Sequence, residues 1–493
     1  MHGHWVLFIS GFDSSFDNPK DFNYEVAFGK RMNPFMNPIF LTKAIKGYVV
    51  DIGRLRSLNE VQLKRYKDKL FRKTIEYAYT VPVYHNKYKD AGIHLSDIKR
   101  IEDIEKLPFI TKDDLRDNYP NGLIPPDFDK SNGFELSTSG STGKPVTIFR
   151  DSYSILHDLW GFIRELREYD VSWRKHRMTF LADLTPGAVG SAHMSFSNSE
   201  QKKTPLLSFN NFQTIDIGED VEKMIKKMDE FKPEFISGYP DVLQGLAILK
   251  QKGYGKNVNP FCIQSTGAVL SDHVRDYLGK TFNCEVFDSY SSTEVGPAVF
   301  ECRDHKYHIH DDMIHLEFVD KNMKPVGTDK PGNVVVTRLA VGGTPVIRYT
   351  GNDDIMVPIK DKCSCGSSST LVKNIGGRTI DTIILSDGTI IPPLSLTGIP
   401  SKVMHDMKTE LIQQFQIIQR KIDQIEVLII INKDLKEKKV FINKVLNEVE
   451  KRFIEKLGKE VKVVVKEVDK VERTNGMDRI VRQVISLVDH KLD

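Results

Sequence analysis

The stretch STSGSTGKP, residues 137–145, combines two glycines, five hydroxyl side chains and one lysine in nine residues. A loop that wraps a chain of phosphates needs inward-pointing backbone N–H groups and little side-chain bulk, and glycine provides both. Ser and Thr hydroxyls add donors, and a lysine adds a mobile positive charge. The stretch therefore predicts a phosphate-binding loop, although its lysine is not followed by Ser or Thr as in the common P-loop. The alternative is a plain Ser/Gly linker, which the strand-like runs GFELS and PVTIFRD on either side disfavour.

The region around this loop, from about 135 to 375, alternates between two patterns. Short β-rich runs such as RMTFLAD and CEVFDSY separate longer helical runs such as VEKMIKKMDEF. This alternation predicts an α/β fold with a largely parallel sheet. From about 313 to 358, the runs IHLEFVD, GNVVVTRL, TPVIRYT and DDIMVP are separated only by turns, which predicts a β-rich subdomain.

The tail of the chain has a pattern of its own. QIEVLIIIN at 424–432 predicts a strand, 437–458 an amphipathic helix, and VKVVVKEV at 461–468 alternates as a half-buried strand does. This β-α-β unit predicts a small α+β domain. Nearer the N-terminus, the apolar spacing predicts a helix over 58–80, and Thr111 is expected to cap a helix that follows an extended segment.

The composition is that of a globular protein. The 493 residues exceed one ordinary compact domain, so two or three domains are expected. The 70 Lys and Arg residues exceed the 67 Asp and Glu residues by only 3 charges, so no nucleic-acid partner is expected. No apolar run reaches the length of a membrane helix, and WVLFIS at 5–10 lacks a basic leader. We therefore expect no signal peptide and no membrane association, and a cytoplasmic protein.

Three further stretches follow the loop in a fixed order. DSYSSTEVG at 288–296 places an aromatic ring, hydroxyls and a carboxylate at the end of a predicted strand. PVIRYTGNDD follows at 345–354, and NIGGRTIDTI at 374–383. Together with STSGSTGKP, in this order and spacing, they resemble the adenylate-forming superfamily. The closer resemblance is to its branch of phenylacetate–coenzyme A ligase-like and capsular polysaccharide biosynthesis proteins, and it covers about residues 55–485.

The resemblance implies an ATP-dependent ligase with a large N-terminal adenylate-forming domain and a small C-terminal α+β lid. Such enzymes join a carboxylic acid to AMP, release pyrophosphate and pass the acyl group to a second nucleophile, most often coenzyme A. The implied ligands are ATP or AMP, Mg²⁺, coenzyme A and a small carboxylic acid, and by analogy the chain forms a homodimer. The corresponding division is an ATP- and substrate-binding domain at 1–378, a hinge at 379–384 and a lid at 385–493.

The resemblance also implies roles for residues at matching positions. The loop would cradle the β and γ phosphates, Tyr290 would stack on adenine, Thr293 would reach the α-phosphate, and Glu294 would hold Mg²⁺. Asp353 would accept the ribose hydroxyls, with Asp354 as a competing candidate. The implied nucleotide-binding set is Ser139, Gly140, Ser141, Thr142, Gly143, Lys144, Gly267, Ala268, Tyr290, Ser291, Thr293, Asp353 and Arg378. The implied catalytic set is Lys144, Thr293, Glu294 and Arg378.

Two segments complete the implied site. Gly267 and Ala268, in STGAVLS, would leave room for the adenine ring, and Arg378 would contact the ribose or the phosphates near the hinge. Taken singly, Tyr290 could be a core residue and Asp353 a turn residue. Taken as a set, these residues favour a nucleotide site.

Two positions depart from the pattern of the family. Met477, in VERTNGMDRIVR, stands where the tail motif carries a lysine, and Ile380 stands at the first acidic position of the hinge. A methionine cannot neutralise an oxyanion. Either another cation such as Lys470 or Arg479 replaces the lysine, or Mg²⁺ and the loop carry the charge, or the protein is a nucleotide-binding homologue with impaired adenylation.

The carboxylate pocket is expected between three segments, 183–197, 235–241 and 265–271. They offer small residues together with the larger side chains His193, Met194, Phe196 and Tyr239. This mixture favours an aryl or medium-sized apolar acid, although His193 and Tyr239 could equally be packing residues.

Three of the five cysteines are candidate metal ligands. Thiolates and an imidazole suit a tetrahedral, structural Zn²⁺, and some members of the similar branch carry such a zinc. The candidate ligands are Cys302, His308, Cys363 and Cys365. His305 and His310 compete with His308 for the fourth position, and the alternative is a group of free buried thiols. Cys262 and Cys284 are expected in the core.

Overall fold

The computed structural model describes most of the chain between residues 37 and 488. The described residues are 37–130, 133–138, 145–184, 188, 190, 211–268, 270, 272–320, 322–352, 354–376, 383–386, 390–391, 393–409, 411–432, 438–471 and 484–488. The predicted phosphate-loop residues 139–144, Asp353, Arg378, Ile380 and Met477 lie outside them. The roles given to these residues therefore stay predictions.

Helices dominate the first described part of the chain. They are α1 (Pro38–Lys46, continued by a π-helical turn over Gly47–Asp51), α2 (Arg54–Ser57), α3 (Glu60–Ala78), α4 (Pro82–Asp90) and α5 (Lys112–Asp117). The predicted helix over 58–80 is confirmed as α3, which begins after a capping box between Asn59 and Gln62. The predicted cap at Thr111 is also confirmed, because its hydroxyl accepts a hydrogen bond from the Asp114 backbone N–H at 3.1 Å.

The predicted phosphate loop connects two strands. β1 (Gly133–Ser137) and β2 (Thr147–Asp151) pair antiparallel, and α6 (Ser152–Glu168) follows directly, capped by the Asp151 side chain. The strand-like runs on either side of the loop are therefore confirmed as strands.

An 11-stranded mixed sheet forms the centre of the N-terminal part. Its strands are β3 (Met178–Ala182), β4 (Phe212–Asp216), β5 (Phe235–Gly238), β6 (Cys262–Thr266), β7 (Glu285–Ser292), β8 (Gly296–Glu301), β9 (Tyr307–Ile309), β10 (Ile314–Val319), β11 (Gly332–Arg338), β12 (Ile355–Ile359) and β13 (Leu371–Gly376). Their order is β10-β11-β12-β13-β9-β8-β7-β6-β5-β3-β4.

The strand pairing in this sheet changes once, from parallel to antiparallel. Strands β3 to β7 pair parallel, as the alternation of strand and helix predicts, and α7 (Val221–Phe231), α8 (Pro240–Gln251) and α9 (Asp272–Phe282) lie between them in the sequence. From β7 onward all pairs are antiparallel. The predicted β-rich region thus extends the same sheet. The change from parallel to antiparallel pairing falls at the connection between β7 and β8.

The predicted strand TPVIRYT is wrong. Only Tyr349 of this run forms β-bridges, to Ile110 and Val336, and Arg348 has a left-handed backbone with φ +50°. The guanidinium of Arg348 is buried, pairs with Glu317 at 2.7 Å and donates to the Leu107 carbonyl at 2.6 Å. A residue in the left-handed region cannot continue an extended strand, so the run is interrupted at Arg348.

The C-terminal part has a sheet and an interior of its own. Its elements are β14 (Ile383–Ile384), β15 (Ile390–Ile391), α10 (Pro393–Asp406), β16 (Ile412–Lys421), β17 (Gln424–Ile431), α11 (Lys439–Leu457), β18 (Lys462–Glu467) and β19 (Val484–Ser486). The sheet order is β18-β17-β16-β19, and β17 and β18 are parallel, so the predicted β-α-β unit is confirmed. Its core begins at Ile383 and includes Phe415, Val445 and Phe453. Within the described part of the chain, no helix is long and apolar enough to cross a bilayer.

Candidate functional site

The hairpin of β1 and β2 holds the two ends of the predicted phosphate loop together. Thr138 N–H donates to the Val146 carbonyl at 2.9 Å, and the Val146 N–H donates to the Thr138 hydroxyl at 3.0 Å. Below them, the hydroxyls of Ser137 and Thr147 lie 2.7 Å apart. The two described ends of the loop are therefore held together as a narrow neck.

The carboxyl ends of β6 and β7 lie side by side because the two strands are parallel. The Thr266 hydroxyl at the end of β6 lies 3.4 Å from the hydroxyl of Ser291 on β7. Immediately beyond, Thr293 and Glu294 lie in the turn between β7 and β8, where the strand pairing changes from parallel to antiparallel. Ligands of open α/β sheets bind outside the carboxyl ends of the parallel strands, so this edge is an expected position for a site.

Tyr290 and Asp354 connect two of the sequence-predicted segments. The Tyr290 hydroxyl donates to Oδ2 of Asp354 at 2.6 Å, and the ring packs against the main core. Burial, and secondarily the Asp354 carboxylate, raise the pKa of Tyr290 well above its ordinary value, so the phenol keeps its proton for this hydrogen bond. Of the two competing aspartates, Asp354 is therefore placed beside the predicted adenine-stacking residue.

Glu294 is a buried carboxylate, 5% exposed. The Tyr349 hydroxyl donates to its Oε1 at 2.8 Å, and its backbone carbonyl accepts a hydrogen bond from the buried guanidinium of Arg150. A carboxylate oriented by a neighbouring hydroxyl is a suitable hard ligand for Mg²⁺. The residues present therefore fit the predicted ion.

Gly267 lies against an aromatic ring. Its backbone is left-handed, with φ +79°, and a Cβ built on it would lie 2.2 Å from Cε1 of Tyr239. The space that we expected Gly267 to leave for adenine is thus filled on this side by Tyr239, which precedes α8. Tyr239 packs beside the strand end, and an adenine-lining role for Gly267 and Ala268 stays a prediction.

The structure brings the four predicted zinc ligands together. Their candidate ligand atoms all lie within 4.8 Å of one another. Cys302 and Cys363 have their sulfurs 3.6 Å apart, and Sγ of Cys365 lies 3.4 Å from Nε2 of His308. A tight turn after β8 and the pairing of Phe300 with His308 place the first two ligands side by side, and the segment between β12 and β13 supplies the C-x-C pair.

Groups around the cluster orient two of its members. The Ser369 hydroxyl lies 2.9 Å from Nδ1 of His308, which leaves Nε2 facing the thiols. The two competing histidines point elsewhere: Nδ1 of His305 lies 2.8 Å from the Glu301 carboxylate, and Nε2 of His310 lies 3.0 Å from Glu165. The geometry therefore selects His308. Cys262 is buried in the core, as expected, and Cys284 packs against the core partly buried.

Comparison with known proteins identifies both sequence relatives and similar solved structures. A family model described as the CapK C-terminal domain matches residues 384–483. Protein CapK of Staphylococcus aureus is 25% identical over 424 residues, which are 83% of this chain and 86% of CapK. The phenylacetate–coenzyme A ligases of Thermus thermophilus and Escherichia coli K12 are 27% and 26% identical, over 71% and 70% of this chain and 77% and 76% of their own length.

The chain is thus similar in sequence to CapK and to phenylacetate–coenzyme A ligases, which agrees with the predicted resemblance to the adenylate-forming superfamily. Among solved structures, 2-hydroxyisobutyryl-CoA ligase in complex with 2-HIB-AMP and CoA superimposes with a TM-score of 0.62 at 20% identity. The match covers 88% of this chain and 91% of that one. The predicted fold class, a large α/β N-terminal domain followed by a small C-terminal domain, is therefore confirmed.

The buried charges beneath the Glu294 turn were not predicted from the sequence. Arg150, Asp158 and Arg338 are between 1% and 6% exposed and lie on β2, α6 and β11. One signal was available: in TIFRD a charged residue stands within a buried β-rich run. The other two charges are far apart in the sequence and only the fold brings them together.

Proposed function

We propose that this chain is an ATP-dependent ligase that activates a carboxylic acid as an acyl adenylate and passes the acyl group to coenzyme A. The observation that carries the proposal is a connected set of contacts between separate predicted segments. Arg150, on the strand that follows the loop, contacts Glu294, and Tyr290 contacts Asp354. Relatives at 25–27% identity that carry the name phenylacetate–coenzyme A ligase support this activity.

In the first half-reaction, a carboxylate oxygen attacks the α-phosphorus and the bond from that phosphorus to pyrophosphate breaks. The second half-reaction forms the thioester bond as AMP leaves. Ser139 to Lys144 would hold the β and γ phosphates, Thr293 the α-phosphate, and Arg378 the ribose or phosphates. Catalysis of such a displacement depends mainly on positioning and charge neutralisation, and Glu294 would hold a Mg²⁺ ion that would supply positive charge.

We infer that the acid is aryl or medium-sized and apolar. The phenylacetate in the names of several relatives supports an aryl acid. The Tyr239 ring, which packs beside Gly267 next to the carboxyl end of β6, would offer an apolar surface to such an acid. The predicted pocket residues His193, Met194 and Phe196 lie outside the described residues.

Carboxylate-dependent exchange between labelled pyrophosphate and ATP tests the first half-reaction without knowledge of the acceptor. We expect exchange with at least one member of a panel of aryl and medium-chain acids, and thioester formation when coenzyme A is added. Glu294→Gln, which keeps the shape of the side chain, should lower exchange by at least a hundredfold. Mg²⁺-dependent ATP binding without exchange for any acid would contradict the proposal.

A second function is supported by Met477, which stands within the segment matched by the CapK C-terminal domain. With no cation at this position, the chain would bind nucleotide while adenylating poorly, or would pass AMP or an activated acid to a non-thiol acceptor. Met477→Lys should raise the exchange rate if the first half-reaction is limited by this missing charge. An unchanged rate in Met477→Lys would show that the position is not equivalent to that of the family lysine.

We also propose that Cys302, His308, Cys363 and Cys365 hold a structural Zn²⁺. Two sulfur ligands of a tetrahedral zinc with bonds of about 2.3 Å lie about 3.8 Å apart, close to the 3.6 Å between Cys302 and Cys363. Untagged protein should contain about one equivalent of zinc by elemental analysis. Cys363→Ser should lose most of it, whereas Cys284→Ser, a cysteine outside the cluster, should retain it. Less than half an equivalent in the unsubstituted protein would contradict this assignment.

A further inference from the structure

We propose that two buried arginines, Arg150 and Arg338, are positioning residues that fix the backbone of the turn carrying Glu294, and thereby aim its carboxylate at Mg²⁺. The proposal rests on the proposed function for the role of Mg²⁺. Its structural part, that the two arginines hold the turn, stands independently of any ligand.

Each arginine donates to one of two successive carbonyls of the turn. Nη2 of Arg150 donates to the carbonyl of Glu294, and Nη1 of Arg338 donates to the carbonyl of Val295 at 2.6 Å. The same nitrogen of Arg338 pairs with Oδ1 of Asp158 at 2.6 Å, which holds the guanidinium in place. The Glu294 carbonyl belongs to the peptide plane that directly follows the Glu294 side chain, and the Val295 carbonyl belongs to the next plane, so the arginines restrict the backbone on the C-terminal side of Glu294.

The next residue shows how closely these groups approach the turn. Gly296 has a left-handed backbone with φ +78°, and a Cβ there would lie 2.6 Å from Oδ1 of Asp158 and 3.0 Å from Nη1 of Arg338. Only a residue without a side chain lets the Asp158–Arg338 pair reach the Val295 carbonyl. The Asp158–Arg338 ion pair therefore packs directly against the turn.

Arg150 is an unusual group to bury for structural reasons alone. It is 1% exposed, and in the described part of the chain its Nε and Nη1 have no hydrogen-bond partner. Burial, followed by the nearby charge of Arg338, lowers the pKa of Arg150 to about 9. Burying a cation with so few partners costs folding energy that an apolar side chain would not. A role in holding the Glu294 turn would account for this cost.

The position of Arg150 in the chain links two parts of the proposed site. It lies on β2, six residues after Lys144, on the strand that closes the neck of the phosphate loop. A rigid strand thus connects the segment proposed to bind the outer phosphates to the turn proposed to bind the metal ion. The spacing between these two groups would be set by β2 and the Arg150–Glu294 contact.

The test uses full-length protein and two measurements. The first follows binding of a fluorescent ATP analogue while MgCl₂ is titrated from zero in the presence of chelator. We expect Arg150→Met and Arg338→Met to raise the Mg²⁺ concentration for half-maximal binding at least tenfold, and Arg150→Lys to recover part of this shift. The second measures hydrogen–deuterium exchange, without ligand, in peptides that cover 290–299, which should exchange at least fivefold faster in both methionine variants.

Arg164→Met is the matched control. Arg164 is also a buried arginine, 4% exposed, that donates to a backbone carbonyl, that of Ile52 at 3.0 Å, and pairs with Asp312 at 2.7 Å. Its loss should increase exchange around residues 51–54 while leaving the Mg²⁺ midpoint within twofold of the unsubstituted value.

The two proposals fail in different ways. If the unsubstituted protein shows no Mg²⁺-dependent ATP binding, the proposed function is wrong, and the exchange measurement still decides whether the arginines hold the turn. If the protein binds ATP with Mg²⁺ but the methionine variants keep the same midpoint and the same exchange over 290–299, the positioning role is refuted. If Arg150→Met does not fold, Arg338→Met carries the same test.

Discussion

Replacing Gly267 by alanine should destabilise the N-terminal part of the chain, for two separable reasons. The backbone at this position is left-handed, with φ +79°, which costs a residue with a Cβ about 1–2 kcal/mol. The new methyl group would also lie 2.2 Å from Cε1 of Tyr239, so the ring must move, at a cost of about 1–3 kcal/mol. The expected total loss in the free energy of unfolding is about 2–5 kcal/mol.

The second contribution can be isolated with Tyr239→Ala as a background. Without the ring, Gly267→Ala should cost only the backbone part, about 1–2 kcal/mol. The difference between the two backgrounds then measures the contact of the methyl group with the ring.

Urea unfolding followed by tryptophan fluorescence is a suitable assay. Trp160 belongs to the main core of the N-terminal part and Trp173 packs against it, so their fluorescence reports on the unfolding of that part. A loss below about 1 kcal/mol in the unsubstituted background, or equal losses in both backgrounds, would refute the reasoning about Gly267 and Tyr239.

Three further predictions follow from hydrogen bonds and charges. Tyr349→Phe removes the 2.8 Å hydrogen bond to the buried Glu294. It should lower the free energy of unfolding by about 1.5–3 kcal/mol and weaken Mg²⁺-dependent ATP binding. Unchanged values in urea unfolding and in Mg²⁺ titration would contradict this expectation. Burial pushes the pKa of Asp312 upward, but the ion pair with Arg164 lowers it overall to about 2, below the unfolded value of about 3.9. The stability that this carboxylate contributes is therefore present above about pH 4 and lost as the pH falls towards 2, so the stability difference between unsubstituted protein and Asp312→Asn should shrink over that window. Thr111→Ala removes a helix cap and should cost about 1 kcal/mol in urea unfolding; a change below about 0.3 kcal/mol would argue against the cap.

Local patterns were sufficient to predict most elements of the fold. The β-α-β unit that contains α11, the helix α3 and the strands that flank the loop each carry a periodicity that depends only on neighbouring residues. The run TPVIRYT carries the same β-rich pattern but is irregular, because Arg348 turns into a left-handed conformation to reach Glu317 and two carbonyls that are far away in the sequence. A short window of sequence contains no information about such partners.

The candidate site was likewise predictable from local sequence only in part. The composition of 137–145 and the order of the later motifs identified the segments, whereas the choice among three histidines required the fold. Alternation places His308 and His310 on one face, yet β9 ends at Ile309, so the alternation does not extend to His310, which turns towards Glu165. The buried charges Arg150, Asp158 and Arg338 left almost no local signal in the sequence, because they lie on three different elements.

The separate interior of the C-terminal sheet has a consequence for how the chain melts. None of the hydrophobic clusters formed by the described residues contains members from both sides of the 377–382 segment. Calorimetry should therefore record two overlapping heat-absorption events, and the total enthalpy should exceed the value calculated from the steepness of either one. A single midpoint temperature would describe neither the N-terminal nor the C-terminal part of the molecule.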